Sequence, residues 1–155
     1  MCARSAFTDE DVSVTKVPNF IGVHLAVDDL KAAAAFYRMI GLSLPDESEL
    51  EDHVEIDLGS GTHLALSTEL VVRMYDPGWR APQKPPAGAL QFQLESREAV
   101  DTLFAELTAA GYHGHLPPID AFWGNRYAEV DDPDRNIVGF HSPTDPNRRT
   151  RSGLH

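Results

Sequence analysis

The stretch FWGNRYAEVDDPDRNIVGFH, residues 122–141, decides the fold of this chain. Its two halves alternate between apolar and polar positions, which predicts two strands with one packed face each. The packed face carries Ala128, Val130, Val138 and Phe140. The opposite face carries Tyr127, Glu129, Gly139 and His141. Between the halves, residues 132–136 predict a tight turn, because proline presets φ and Asp and Asn side chains hydrogen-bond the local backbone.

The order of elements around this hairpin occurs twice along the chain. The first copy predicts a strand at 20–27, a helix at 30–40, a short strand at 42–44, and strands at 53–58 and 62–68. The second predicts a strand at 89–95, a helix between Ser96 and Gly111, an irregular strand at 113–118 and the hairpin. Leu30 and Val100 begin the two apolar helix stripes 70 residues apart, and Gly41 and Gly111 end them at the same offset. We therefore predict an α+β fold of two tandem βαβββ modules.

The repeat also predicts the domain organisation. Residues 18–142 form a single domain, in which module 1 covers about 18–68 and module 2 about 88–142. A proline-rich linker, 69–87, joins the two modules. Residues 1–17 are expected to be a disordered leader, and residues 143–155 a polar, solvated tail.

Composition excludes several classes of partner. The formal net charge is −11, which opposes binding to nucleic acid or to an anionic membrane surface. No apolar run approaches the ~20 residues that span a bilayer. Cys2 is the single cysteine, so an internal disulfide is excluded and a reducing compartment is favoured. We expect a cytoplasmic protein.

Polar side chains occupy the second face of almost every predicted strand. These faces could simply be exposed to solvent. If the two half-sheets turn them toward each other, they line a wet cleft instead. The pattern alone leaves both arrangements open.

At this point the chain resembles the vicinal oxygen chelate superfamily, which includes glyoxalase I, bleomycin-resistance proteins, fosfomycin-resistance enzymes and extradiol dioxygenases. The resemblance covers about residues 19–142 and rests on five matching segments, which are residues 27–30 (VDDL), 36–42 (FYRMIGL), 106–111 (ELTAAG), 123–127 (WGNRY) and 132–136 (DPDRN). It implies a U-shaped mixed sheet around a cavity, and usually a homodimer. Arg135 stands where the family's turn usually has glycine, so we expect a remodelled or strained turn there.

In the metalloenzyme members of the family, four strands each supply one ligand to a divalent metal that polarises substrate oxygens. The resemblance places these four positions at Gly22, Ala65, Ala89 and Gly139, and none of them has a side-chain donor. Their small size suggests either space where ligands stood or simple packing between modules. The sequence therefore predicts no metal at the usual position. A relocated site built from His24, Gln91 and His141 remains an alternative.

The resulting hypothesis is a metal-free protein of the sequestration or resistance type that binds a small organic molecule. The proposed ligand contacts are His24, Glu55, Asp57, Gln91, Gln93, Trp123, Tyr127 and His141. Aromatic and acidic lining favours an aromatic or cationic ligand, as the bleomycin-resistance members bind. One alternative is a lyase, isomerase or dioxygenase of the same superfamily, with a relocated metal or with acid–base catalysis by His24 or Glu129. The other is a structural or regulatory module with a vestigial cavity.

Overall fold

The computed structural model describes residues 17–84 and 87–150. The first module contains β1 (Gly22–Val27), α1 (Leu30–Met39), β2 (His53–Gly59), β3 (Thr62–Thr68) and α2 (Glu69–Tyr75). The second contains β4 (Ala89–Gln93), α3 (Arg97–Ala109), β5 (Gly114–Asp120), β6 (Arg126–Asp131) and β7 (Ile137–His141). Single 3-10 turns lie at Glu47–Glu49 and Pro146–Arg148. The expected leader lies outside the described residues, apart from Val17.

The strands form two mixed sheets that confirm the predicted α+β fold. The first sheet has the order β1-β3-β2 and the second the order β4-β7-β6-β5. In each, the strand before the helix runs parallel to the last strand of the module. The register repeats as well: Ala65 pairs with His24 and Glu55, and Gly139 pairs with Gln91 and Glu129. Equivalent positions of the two modules therefore hold equivalent places in the two ladders.

The two main helices begin and end as the sequence predicts. The Asp29 carboxylate accepts hydrogen bonds from the Lys31 and Ala32 amides at 3.0 and 3.2 Å, and the Ser96 hydroxyl accepts one from Ala99 at 3.0 Å. Each helix is followed by a glycine of positive φ, at positions 41 and 111. Both helices pack their apolar stripes into one core shared by the two modules. Its fully buried members include Phe36, Leu66, Val100, Leu107, Val130 and Phe140.

Residues 42–44 do not form the strand that we predicted. Leu42 and Leu44 pack against the core as half-buried side chains, and β2 is left as the edge of a three-stranded sheet. Pro45 follows at once, and it has no N–H for a ladder beside β2. Leu42 and Leu44 are therefore partly buried as their spacing indicates, but the prediction that residues 42–44 form a strand is wrong.

The expected linker, 69–87, contains a helix. α2 follows β3 directly, buries Val72, and carries an ion pair between Glu69 and Arg73 at 2.5 Å, one helical turn apart. The prolines that marked the segment as a linker begin only at Pro77, after the helix has ended. The sequence pattern did not predict this helix, because a helix of two turns is too short to show a clear helical period. No helix in the described ranges is long and apolar enough to cross a membrane.

The described part of the expected polar tail packs against the loop before β6. The Thr150 amide donates to the Phe122 carbonyl at 2.9 Å, and the Asp145 amide donates to the Gly124 carbonyl at 3.0 Å. Gly124 has φ of 103°, and a Cβ there would lie 2.5 Å from the Asp145 carbonyl oxygen. Residues 143–150 therefore contact this loop, and apart from Asp145 they stay exposed.

One buried carboxylate organises the turn between β6 and β7. Asp132 is 3% exposed and accepts the amides of Asp134 and Asn136 at 2.9 and 2.8 Å. It also accepts the Asn136 side-chain amide at 2.9 Å and the Tyr37 hydroxyl of α1 at 2.7 Å. Arg135 has φ of 67°, which confirms the strained position expected at that residue. The carboxylate thus fixes the hairpin and ties it to the helix of the other module.

We predict that Tyr37→Phe destabilises the protein by about 2 kcal/mol, because a buried hydrogen bond to a charged acceptor is lost. Urea unfolding followed by circular dichroism measures this loss. Tyr112→Phe is the matched control: its ring packs on Phe36 at 4.9 Å between centroids, and its hydroxyl makes no hydrogen bond within the described residues. Equal stabilities of the two variants would contradict the role given to Asp132.

Candidate functional site

The polar face of the second sheet carries a chain of hydrogen-bonded side chains. His141 Nε2 lies 2.7 Å from Gln91 Oε1, and Gln91 Nε2 lies 3.4 Å from the Tyr127 hydroxyl. That hydroxyl donates to Glu129 Oε1 at 2.5 Å. The ladder explains the grouping, because Gln91 and Glu129 flank Gly139, and Tyr127 pairs with His141. We call Gln91, Tyr127, Glu129 and His141 the polar chain.

The rings of Phe122 and Trp123 lie beside the polar chain, and we call these two residues the aromatic wall. The Trp123 ring lies 5.6 Å from the Tyr127 ring and 6.3 Å from the His141 ring, measured between centroids. Tyr127 and His141 are closer still, at 4.4 Å. Phe122 packs on Trp123 at 4.9 Å and is itself exposed. Arg149 Nε donates to the Trp123 carbonyl at 3.2 Å, so the C-terminal segment helps to position the wall.

Burial sets the protonation of this face. It raises the pKa of Tyr127 well above its usual range, and the hydrogen bond and charge of Glu129 raise it further. Burial also lowers the pKa of His141, while the Glu129 charge opposes that shift. Near neutral pH the face therefore presents a phenol that donates to a carboxylate, together with a neutral imidazole.

The four family ligand positions do not suit a metal in this chain. Gly22, Ala65, Ala89 and Gly139 offer no side-chain donor. At Gly22 an added Cβ would overlap the His63 carbonyl oxygen. At Gly139 it would lie 2.7 Å from the Tyr127 hydroxyl. The glycine at 139 thus makes room for the phenol, and the idea that empty space replaces the ligand is wrong at this position.

The polar face of the first sheet carries a different cluster. His24 Nε2 and His53 Nδ1 both lie 2.7 Å from the Ser67 hydroxyl, which is fully buried. The hydroxyl can accept from one ring and donate to the other. Tyr75 of α2 lies over His24, with its hydroxyl 3.4 Å from His24 Nδ1. α2 therefore contacts this face at His24, and His24 stays exposed.

A cavity of about 390 Å³ lies where β1 meets the turn between β6 and β7. Its walls include His24, Glu69, Trp79, Lys84, Asp134 and Arg135. Trp79, which lies in the expected linker, is thus half-buried in a wall of this cavity. The cavity is separate from the aromatic wall, since it shares no lining residue with the polar chain.

The structure brings together half of the eight predicted contact residues. Gln91, Trp123, Tyr127 and His141 meet on the second sheet. His24 lies with the first-sheet cluster, and Glu55 pairs there with His53 at 3.8 Å. Asp57 caps its own turn by accepting the Gly59 amide at 2.8 Å, and Gln93 borders a groove along α3. The sequence analysis assigned no role to Ser67, His53 or Tyr75. Their contacts join residues far apart in the chain, and such contacts leave no local pattern in the sequence.

The relocated metal site proposed from three residues is not assembled. His24 is engaged by Ser67 and Tyr75 on the first sheet, whereas Gln91 and His141 bond each other on the second. No contact joins His24 to that pair within the described residues. These three side chains therefore do not form a common coordination sphere in the structure.

Two modules with matching ladders, each with a helix and a polar sheet face, define an α+β protein built from a repeated unit. The model of the Glyoxalase/Bleomycin resistance protein/Dioxygenase superfamily matches residues 19–140, and the chain belongs to this superfamily. This confirms the vicinal oxygen chelate resemblance. No curated protein matches the chain in sequence.

Solved structures give the same fold at low identity. A glyoxalase-related enzyme from Fulvimarina pelagi has 23% identity and a TM-score of 0.69 over 81% of this chain and 88% of its own. A superfamily protein from Nocardioides has 23% identity and a TM-score of 0.65 over 96% and 99%. A mutant fosfomycin resistance protein from Listeria monocytogenes, complexed with Mn(II) and 1S,2S-dihydroxypropylphosphonic acid, has 17% identity and a TM-score of 0.59 over 86% and 95%. At these identities the likeness shows the fold alone.

We predict that Gly139→Ala lowers the free energy of unfolding by about 2 kcal/mol, because the new methyl group displaces the Tyr127 hydroxyl from Glu129. Chemical denaturation provides the measurement. Gly88→Ala is the control, since a Cβ there meets nothing within 4 Å. If Gly139→Ala is as stable as Gly88→Ala, the close packing of Tyr127 over Gly139 is wrong.

The lowered pKa of His141 predicts a pH dependence. The folded state binds this proton less readily than the unfolded chain, so the contribution of His141 is present above its ordinary pKa of about 6.5 and is lost as pH falls below it. Wild-type protein should therefore lose more stability between about pH 7.5 and 5.5 than His141→Gln. Denaturation midpoints at both pH values test this. An equal loss in the two proteins would exclude His141 as the source.

Proposed function

We propose that the protein binds a small aromatic or cationic organic molecule at the polar face of the second sheet, without a metal at the family's ligand position. The observation that carries this proposal is the Tyr127 hydroxyl, which lies over Gly139 and is held by Glu129 at 2.5 Å. A hydrogen-bonded phenol thus stands where the family's fourth ligand would project. The face offers donors, acceptors and ring planes rather than a Lewis acid.

Charge supports the choice of ligand class. Glu129 is 19% exposed, and no lysine or arginine forms an ion pair with it in the described ranges. Trp123 and His141 present ring surfaces beside this carboxylate. A cation on an aromatic scaffold would stack on Trp123 and have its charge partly balanced by Glu129. The chain's net charge of −11 adds a favourable field for such a ligand.

Aromatic surface supports placing the ligand on the second sheet. On the first sheet, the Ser67 hydroxyl contacts both His24 and His53, and both of these histidines are exposed. On the second sheet, the Trp123 ring packs beside the rings of Tyr127 and His141, where the polar chain ends. Sequestration also requires this surface to be enclosed, which a partner subunit would do. A homodimer that encloses this surface, in the cytoplasm, is the assembly that we propose.

A metal-free lyase or isomerase is the second candidate, and one contact favours it. The 2.5 Å hydrogen bond between the Tyr127 hydroxyl and Glu129 Oε1 joins two groups that can exchange a proton with a bound substrate. Glu129 would act as the base and Tyr127 as the donor. Turnover of a bound ligand that Glu129→Gln abolishes while binding persists would select the enzyme over the sequestering protein.

We predict that small aromatic amines and quaternary ammonium compounds raise the melting temperature of the wild-type protein, and that Trp123→Ala removes most of the shift because the stacking surface is lost. Differential scanning fluorimetry over a compound panel, with EDTA present throughout, measures this. Trp79→Ala is the matched control, since Trp79 is the chain's other tryptophan and lines the separate cavity. A shift lost in Trp79→Ala and kept in Trp123→Ala would move the site to that cavity.

A further inference from the structure

Two histidines and an aspartate meet at the outer edge of the second sheet. The ligand atoms of His113, His115 and Asp131 all lie within 4.8 Å of one another. His113 immediately precedes the edge strand β5, and its carbonyl accepts the Asp131 amide at 2.9 Å. The register of β5 on β6 shifts between Gly114 and Leu116, so His115 lies in an irregular part of the edge strand that brings it close to His113. The spacing is visible in the sequence, but Asp131 joins the pair only through the strand pairing of β5 with β6.

The aspartate carries an oxygen without a hydrogen-bond partner. Asp131 Oδ1 is buried and accepts no hydrogen bond within residues 17–84 and 87–150. His115 Nδ1 lies 3.6 Å from this oxygen, which is too long for a hydrogen bond. Buried carboxylate oxygens are normally satisfied, so this atom calls for a ligand. A cation between Asp131 and the histidines would satisfy it.

The donor set suits a transition metal of the zinc class. Imidazole nitrogens and a carboxylate oxygen are zinc ligands, and bonds of about 2.0–2.1 Å in a tetrahedron place ligand atoms roughly 3.4 Å apart. The 3.6 Å between His115 Nδ1 and Asp131 Oδ1 already approaches that separation. His113 and His115 are exposed, so their side chains can rotate to close the remaining distance. Three protein ligands leave a fourth position for water.

Glu129 supplies a further element of such a site. His115 turns Nδ1 toward Asp131 and Nε2 toward Glu129 Oε2, the latter also at 3.6 Å. At 3.6 Å this contact is not a hydrogen bond, but a small rotation of the exposed His115 ring would make it one, and a carboxylate bonded to the second ring nitrogen fixes the tautomer and orientation of a ligating histidine. The other oxygen of Glu129 accepts the Tyr127 hydroxyl. The edge cluster and the polar chain therefore share one carboxylate.

We propose that His113, His115 and Asp131 form a zinc-class metal site, in which Glu129 orients His115. The site lies on β5 and β6, away from Gly22, Ala65, Ala89 and Gly139. It shares Glu129 with the small-molecule proposal but requires neither Trp123 nor His141. Ordinary histidine–carboxylate pairing at an acidic surface is the outcome that would replace it.

Calorimetric titration of EDTA-treated, dialysed full-length protein with zinc chloride at about pH 7.5 tests the proposal. We expect one zinc ion per chain. His115→Gln and Asp131→Asn should each weaken binding at least about 100-fold, and Glu129→Gln about tenfold, as expected for a carboxylate behind a ligand. His53→Gln, in the first-sheet cluster, should leave the affinity unchanged. No zinc binding, or binding that His115→Gln and Asp131→Asn leave intact, would overturn the proposal.

Cobalt substitution gives a second measurement on unmodified protein. Bound Co²⁺ should show the visible absorption of a tetrahedral site without a thiolate charge-transfer band, because the proposed ligands are nitrogen and oxygen. A thiolate band would assign the metal to Cys2 and contradict the site. Equal melting temperatures of the metal-free wild-type protein and the two ligand variants would show that a lost affinity comes from lost ligands and not from unfolding.

Discussion

The Asp132 carboxylate is the constraint on which the rest of the structure depends. It is almost fully buried, and it is stabilised because four donors from three residues converge on its two oxygens. Two of these donors are turn amides, so the carboxylate fixes the register in which β6 meets β7. That register places Gly139 between Gln91 and Glu129. The fourth donor is Tyr37, so the same group fastens the second module's hairpin to the first module's helix.

The repeated ladders show how two copies of one module acquire different chemistry. His24, Ala65 and Glu55 hold the same places in the first sheet as Gln91, Gly139 and Glu129 in the second. One row further on, Ser67 and His53 correspond to His141 and Tyr127. In the first sheet the buried Ser67 hydroxyl contacts the imidazoles of His24 and His53. In the second sheet the Tyr127 hydroxyl lies over Gly139, beside the loop that carries Phe122 and Trp123.

The sequence predicted the parts of this fold that local patterns control. Alternation placed Ala128 and Val130 in the core and Tyr127 and Glu129 on the polar face, and Asp29 and Ser96 marked the helix starts. It failed where tertiary context decides. Leu42 and Leu44 are buried without pairing, since Pro45 and the edge position of β2 leave no ladder for them. α2 was missed because a two-turn helix beside prolines has a weak periodic signal.

The candidate site was also predicted only where local patterns decide it. Gln91, Trp123, Tyr127 and His141 could be proposed from strand faces, and the structure groups them. Strand faces gave no information on whether the polar faces of the two modules meet, so His24 and Glu55 were placed in a common set with residues of the other module. The partnership of Asp131 with His113 and His115 also required the pairing of β5 with β6. The sequence thus predicted which face of a strand each residue occupies, but not which residues of other strands it contacts.

A crystal structure of the EDTA-treated protein, with a bound compound that raises its melting temperature, tests the central claim most directly. The account predicts ligand density stacked on Trp123, within hydrogen-bonding distance of the polar chain and with no metal ion between the ligand and Gly139. A ligand held through a metal ion at the family's four positions would contradict it. So would a ligand found solely in the cavity beside Trp79 and Arg135.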